Sequence, residues 1–269
     1  MVVLRLPSHL QRFFGENAFD EIMQLNGRVY RDVPGRKTMR ITLGEQQYFI
    51  KQHFGVGWAE IFKSLISLKK PVIGAMTEVR AIEKLTEIGI PTTPLVGYGY
   101  RGANPATMQS FVITEDLGDI TSLEDLCSEW ITKPPPVDLK LKLVKAIAKL
   151  AAKLHGAGLV HRDFYLCHIV FKNESFAHDE VSLCLIDLHR MLLNQSSQGN
   201  TVMKDIAALY FSAMDCGLKE EDLSLFKQYY LPQSEKFWLK VQTRAKKLYA
   251  KFHSEKFQKR LGVERSAID

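Results

Sequence analysis

No run of apolar residues in this 269-residue chain approaches the roughly 20 that a membrane-spanning helix needs. The opening stretch MVVLRLPSHLQRFF is interrupted by Arg5 and Pro7. It has neither the apolar core nor the small-residue cleavage site of a secretion signal. A cytoplasmic protein is expected, soluble or peripheral to a membrane. The four cysteines, Cys127, Cys167, Cys184 and Cys216, include no CxxC pair and no metal-ligand spacing. That argues against a zinc module or a disulfide framework and fits a reducing compartment. There is no internal repeat and no low-complexity segment.

What is present begins with charge. The net charge is +6 and the pI about 9.0, an excess that suits an anionic partner. No zinc-finger pattern or aromatic RNA-binding signature accompanies it, so nucleic acid is not the expected partner. An anionic membrane or a phosphorylated substrate remains. The apolar share of 46% is ordinary for a globular protein and ample for one or two cores.

Residues 27–52 alternate as strands, with a turn at Gly44-Glu45. Helical spacing follows over residues 56–68 (Trp58, Ile61, Phe62, Leu65, Leu68) and over 75–87 (Val79, Ile82, Leu85). Residues 109–116 form another strand. Helices then dominate: a short one over 121–130, a strong one over 138–155, and others over 203–216, 219–230 and 234–260. Between them, residues 181–186 are an apolar strand that ends at Asp187. Strands followed by helices indicate an α+β fold in two parts. The expected division is 1–118, β-rich and nucleotide-binding, and 119–269, helical, catalytic and substrate-binding.

The sharpest signal is KLHGAGLVHRDFYLCHIVF, residues 153–171. A helix ends near His155, Gly156 and Gly158 allow the turn, and the chain then delivers His161-Arg162-Asp163. The strand at 183–186 later delivers Asp187. Helix, turn, HRD, strand and Asp resemble the catalytic arrangement of kinases. One carboxylate there accepts the proton of the attacking hydroxyl, and a second holds the metal that bridges the nucleotide phosphates. Asp163 is the candidate base, with His161 and Arg162 beside it in the motif, and Asp187 is the candidate metal ligand.

The upstream half fits that reading. Lys51 ends the apolar strand YFIK, a position suited to a point charge on the nucleotide phosphates. Glu78 is its preferred partner, with Glu83 the alternative. Arg31, Arg36, Lys37 and Arg40 lie in the hairpin RVYRDVPGRKTMR, which has the single central glycine Gly35 and no GxGxxG. They are expected to meet phosphates by charge. Glu115 completes the nucleotide-binding candidates. Asp205 opens the helical stretch KDIAALYFSA and is expected either to accept backbone N–H groups of the catalytic loop or to cap the helix.

Two departures point away from a regulated protein kinase. Five residues after Asp163, where protein kinases carry a metal-binding Asn, stands His168. Imidazole is a poor ligand for Mg²⁺, so His168 is a candidate for the metal, for a phosphate, or for orienting Asp163. In place of DFG stands DLHR, residues 187–190.

Taken together, YFIKQHFGVGWAEI, PVIGA, VITEDL, HRDFYLCH, LIDLHR and KDIAALYFSAMD resemble the lipopolysaccharide core heptose(I) kinase family, WaaP/RfaP, from about Gly27 onward. His168 and DLHR agree with that family. The resemblance implies a protein-kinase-like fold with two lobes, a β-rich N-lobe and an α-helical C-lobe. It implies ATP and Mg²⁺ as cofactors and Asp163 as the catalytic aspartate. The implied acceptor is the first heptose of the lipopolysaccharide inner core, at the inner face of the inner membrane. Acyl carrier protein is a further implied partner. A kinase for another envelope sugar, or for a small molecule in the manner of aminoglycoside phosphotransferases, is the alternative. Residues 55–70, with Lys63, Lys69 and Lys70, and the basic amphipathic stretch 237–260 are candidates for contact with an anionic membrane or the glycan.

Overall fold

The computed structural model describes residues 2–66, 71–172 and 181–259. The chain divides into two compact units. One comprises Met1–Gly118 with Ile186–Met191, the other Asp119–Leu185 with Leu192–Asp269.

The first unit is built on one antiparallel sheet. Its strands are β1 (Val2–Arg5), β2 (Arg28–Val33), β3 (Arg36–Leu43), β4 (Gln46–His53), β5 (Leu95–Arg101) and β6 (Gln109–Glu115), in the order β1-β5-β6-β4-β3-β2. Two short helices, α1 (Ser8–Gln11) and α2 (Ala18–Met23), precede β2. They are too brief for a periodic pattern to disclose. Their Leu10, Phe19, Ile22 and Met23 join Met39, Ile41, Tyr48, Ile50, Phe111 and Ile113 in one buried cluster. Because side chains alternate along a strand, Tyr48 and Ile50 face that cluster while Lys51 and His53 share the other face of β4. Helix α3 (Gly57–Ile66) follows, and the expected residues 67–70, with Leu68, Lys69 and Lys70, lie outside the described ones. Helix α4 (Met76–Glu87) packs on β5 and β6.

The second unit holds the small sheet of β7 (Ile120–Ser122), β8 (Ile169–Lys172) and β9 (Cys184–Leu185). Its helices are α5 (Leu123–Cys127), α6 (Val137–Gly156), α7 (Asn200–Ser212), α8 (Glu220–Tyr229) and α9 (Glu235–Phe252). Helix α7 packs on α9 and α6 on α8.

Several expected elements are shorter than their apolar runs. Of the strand expected over 181–186, Cys184 and Leu185 form β9, opposite Val170 and Ile169 of the short β8. Helix 203–216 stops at Ser212, and a separate 3₁₀ turn, Met214–Cys216, closes on Gly217 at φ 65°. The helix expected over 234–260 ends at Phe252, where the His253 N–H turns back to Tyr249 and Lys251 carbonyls. Arg260 lies outside the described residues. All four cysteines are free thiols.

Candidate functional site

In the first unit, β4 places Lys51 between two carboxylates. Its Nζ lies 2.7 Å from Glu78 Oε1 and 3.2 Å from Asp187 Oδ1. Burial pulls the lysine's pKa down, yet Glu78 and Asp187 outweigh that, and the net shift is upward. The ammonium therefore stays charged. Glu78 sits on the buried stripe of α4, with Val79, Ile82 and Leu85. Glu83 is exposed, so Glu78 is the partner in this structure.

Asp187 stands at φ 60°, in the left-handed region that a non-glycine residue enters only at a cost. A second donor reaches its Oδ1: His189 Nδ1, at 2.6 Å. The spacing of DLHR gave no hint of this internal contact.

Arg36 faces His53 directly across the β3–β4 ladder, so their side chains stand on the face that carries Lys51. Burial and the neighbouring Arg31 lower the Arg36 pKa, while Asp187 and Glu78 hold it up. The Arg36 guanidinium thus lies in the field of the Lys51 cluster. Arg31 is exposed on β2 and Lys37 half-buried on β3. Arg40 instead bridges to Asp116 at 3.5 Å. Glu115 is exposed at the end of β6 with its N–H given to the Pro94 carbonyl. Gly35, at φ 80°, makes the hairpin possible: a Cβ there would lie 2.6 Å from the Gly55 carbonyl oxygen. The Phe54 N–H donates to the Gly35 carbonyl at 2.9 Å and pins the tip to the chain that leaves β4.

In the second unit, α6 ends at Gly156 and Gly158 turns the chain at φ 72°. Val160 then bridges to Leu192, and the HRD segment follows. Asp205, 1% exposed, accepts the His161 N–H at 2.6 Å on Oδ2 and the Arg162 N–H at 2.7 Å on Oδ1. It lies well inside α7, whose N-cap is Gly199, and so does not cap the helix. These charge-assisted bonds hold Arg162 at φ 72°, the bend that presents Asp163. His155 approaches the same carboxylate at 3.4 Å and meets the Tyr230 hydroxyl at 2.7 Å. Neither residue was marked as functional by the sequence; only the LHxxG spacing around His155 offered a signal.

His168 Nδ1 lies 2.7 Å from the Asp163 carbonyl oxygen. A carbonyl only accepts, so Nδ1 carries the proton and is committed to the loop. The ring stacks on His161 with centroids 5.7 Å apart. This contact fits the third of the expected roles, orienting the Asp163 loop. Among the described residues no three His, Cys, Asp or Glu side chains form a metal cage, and no helix is long and apolar enough to cross a membrane.

Comparison with known proteins follows the same lines. Residues 20–230 match the lipopolysaccharide kinase (Kdo/WaaP) family. The lipopolysaccharide core heptose(I) kinase WaaP of Pseudomonas aeruginosa PAO1 is 41% identical over 217 residues, 80% of this chain and 81% of that protein. Its namesake in Escherichia coli K12 is 40% identical over 217 residues, 80% of this chain and 82% of the other. A solved structure, WaaP in complex with acyl carrier protein, superposes with a TM-score of 0.78 at 33% identity, covering 92% of this chain and 99% of that one. The fold is accordingly α+β and protein-kinase-like, with a β-rich and a helical unit, and the chain belongs to the lipopolysaccharide kinase (Kdo/WaaP) family.

Proposed function

We propose that this kinase transfers the terminal phosphate of ATP to heptose I of the lipopolysaccharide inner core. The observation that carries the reading is the Asp205 carboxylate fixing the bent HRD backbone, on a chain about 40% identical to two heptose(I) kinases. Asp163 takes the proton of the acceptor hydroxyl as its oxygen attacks phosphorus, and ADP leaves. Lys51, held by Glu78, sets a fixed positive charge against the nucleotide phosphates.

The chemistry of the first unit suits a nucleotide with a divalent cation. The Arg36 Nε–H and the Glu78 Oε2 are buried without a hydrogen-bond partner among the described residues. The first is a donor fit for a phosphate oxygen, the second an acceptor fit for a water of a hydrated ion. Mg²⁺ characteristically uses one or two carboxylates together with substrate phosphates, and Asp187 supplies such a carboxylate. When bound there, the ion would neutralise phosphate charge.

The acceptor sits on a lipid, and α3 offers a means of approaching one. Trp58, Phe62 and Ile66 are exposed at four-residue spacing, Ile66 at 82%, which suits contact with the inner face of the inner membrane. The apolar stripe of α9 is turned inward instead: its Phe237, Trp238, Val241 and Ala245 are buried and the helix packs on α7. By likeness to the solved complex, acyl carrier protein is a further proposed partner, testable by co-elution after co-expression.

The deciding experiment incubates purified protein with ATP, Mg²⁺ and heptose-containing core lipid, and locates the new phosphate by mass spectrometry. Phosphate on heptose I is expected. Folded, ATP-binding protein that leaves this lipid unmodified would sink the reading. Asp163→Asn should lower kcat by about 10²–10⁴-fold, the usual worth of a general base. Near-normal turnover would remove Asp163 from that role.

A further inference from the structure

A second concave site lies in the helical unit, where α7 and α9 begin. It is a cleft of about 410 Å³, within the range of small-molecule sites. Gln198, Asn200 and Met203 line it from the start of α7, and Lys236, Phe237 and Lys240 from α9. The two side-chain amides each offer a donor and an acceptor, the pairing that sugar hydroxyls need. Lys236 and Lys240 stand four residues apart on α9 and so share a face. Both are exposed. Among the described residues neither forms an ion pair, and no carboxylate lines the cleft. The lining therefore favours an anion that also bears hydroxyls.

The cleft is joined to the candidate base by two routes inside this unit. Helix α7 runs from Asn200 at the cleft to Asp205 at the HRD backbone, five residues or about 7.5 Å along the axis. The segment that enters the cleft is also stitched to the turn before HRD. Gln195 N–H donates to the Gly158 carbonyl at 2.8 Å, the Thr201 hydroxyl reaches Gln195 Oε1 at 3.3 Å, and Gln233 Nε2 ties Ser197 from the other wall at 3.0 Å.

We propose that this cleft binds an acidic sugar of the acceptor glycan, a neighbour of the phosphorylated heptose, with Lys236 and Lys240 holding its carboxylate. The proposal rests on the heptose kinase reading, because it gives the cleft to the same acceptor. It makes Lys236 and Lys240 specificity residues remote from the reacting atoms.

The test pairs two protein forms with two acceptors: wild type and Lys236→Gln/Lys240→Gln, each with core lipid and with the same lipid after chemical reduction of its sugar carboxylates to alcohols. Both lysines are exposed, so the double variant should keep its Tm. For native lipid the variant's acceptor KM should rise about tenfold, the worth of two exposed charge contacts, with kcat and the KM for ATP within about twofold. Wild type should show the same rise on carboxyl-reduced lipid, and the variant should show no further rise there, the non-additivity of a shared contact. An unchanged acceptor KM in the variant overturns the proposal while leaving the heptose reading intact. So does wild type that accepts reduced lipid as well as native, which would direct the lysines to a phosphate instead. Wild type inactive on both lipids would remove the heptose reading, and the proposal with it.

Discussion

Asp205 and His53 are both buried polar side chains, each 1% exposed, and they behave in opposite ways. Asp205 is fully engaged, by two backbone N–H groups and His155. Asp205→Ala would leave the His161 and Arg162 donors without their acceptor, at roughly 2–5 kcal/mol for the pair. Thermal unfolding should fall accordingly, and kcat should fall further than stability alone explains, because the bend at Arg162 loses its anchor. Asp205→Asn keeps one good acceptor and should recover part of both; equal damage from Asn and Ala would argue against the anchoring role. His53 has both ring nitrogens buried without a hydrogen-bond partner among the described residues. Burial, then Arg36, Lys51 and His189, push its pKa from 6.5 down to about 3. It is neutral when folded and takes up a proton when unfolded below about pH 6.5. Stability is therefore lost as pH falls from that value toward 3, by about 2 kcal/mol between pH 7 and pH 5. His53→Gln should flatten that acid limb in a urea-denaturation series. If wild type and variant lose stability in parallel from pH 7 to 5, His53 is not the group responsible.

At the scale of elements, α3 carries a sharp prediction. Trp58 and Phe62 touch each other, with ring centroids 5.7 Å apart, but are half-exposed. Replacing both by Ser should weaken co-sedimentation with vesicles containing anionic phospholipid severalfold and leave the Tm within a degree or two, since Ile61 alone is deeply buried among the described side chains of that helix. A large drop in Tm would show instead that the pair supports the fold. The helix itself was legible because its apolar residues recur at helical spacing. So were α4, α6 and the hairpin of β3 and β4, whose patterns run for eight residues or more. Short elements were not: α1 and α2 are four and six residues long, and β9 is two. The candidate site divides in the same way. Lys51, Glu78, Asp163, Asp187 and Asp205 stand in fixed spacings that the sequence displays. His53, His155, His189 and Tyr230 matter through contacts made across the fold, such as the ladder that sets His53 opposite Arg36, and no linear spacing encodes those. The apolar stripe of α9 shows the converse: a basic amphipathic pattern suits a membrane and a core alike, and packing on α7 makes the apolar stripe core.

For the molecule as a whole, ligand binding and stability are linked, which allows the proposed roles to be separated without any turnover. A ligand that binds only the folded chain stabilises it by about 2.7 kcal/mol at a concentration a hundredfold above its Kd. For a protein of this size that corresponds to a rise in Tm of roughly 5–10 °C. ATP with Mg²⁺ should produce such a rise, and ATP alone a smaller one. Lys51→Met removes the charge set against the phosphates and should abolish most of the shift in both conditions. It also leaves Glu78 in a buried setting without its cation, so its ligand-free Tm should fall and serves as the baseline for the comparison. Asp187→Asn should erase only the increment that Mg²⁺ adds. Asp163→Asn should keep the entire shift, because a base for the acceptor hydroxyl contributes nothing to nucleotide affinity. These three outcomes distribute nucleotide, metal and proton among Lys51, Asp187 and Asp163. An Asp163→Asn chain that no longer responds to ATP, or an Asp187→Asn chain with the full Mg²⁺ increment, would break that distribution at the residue concerned and leave the other two assignments standing.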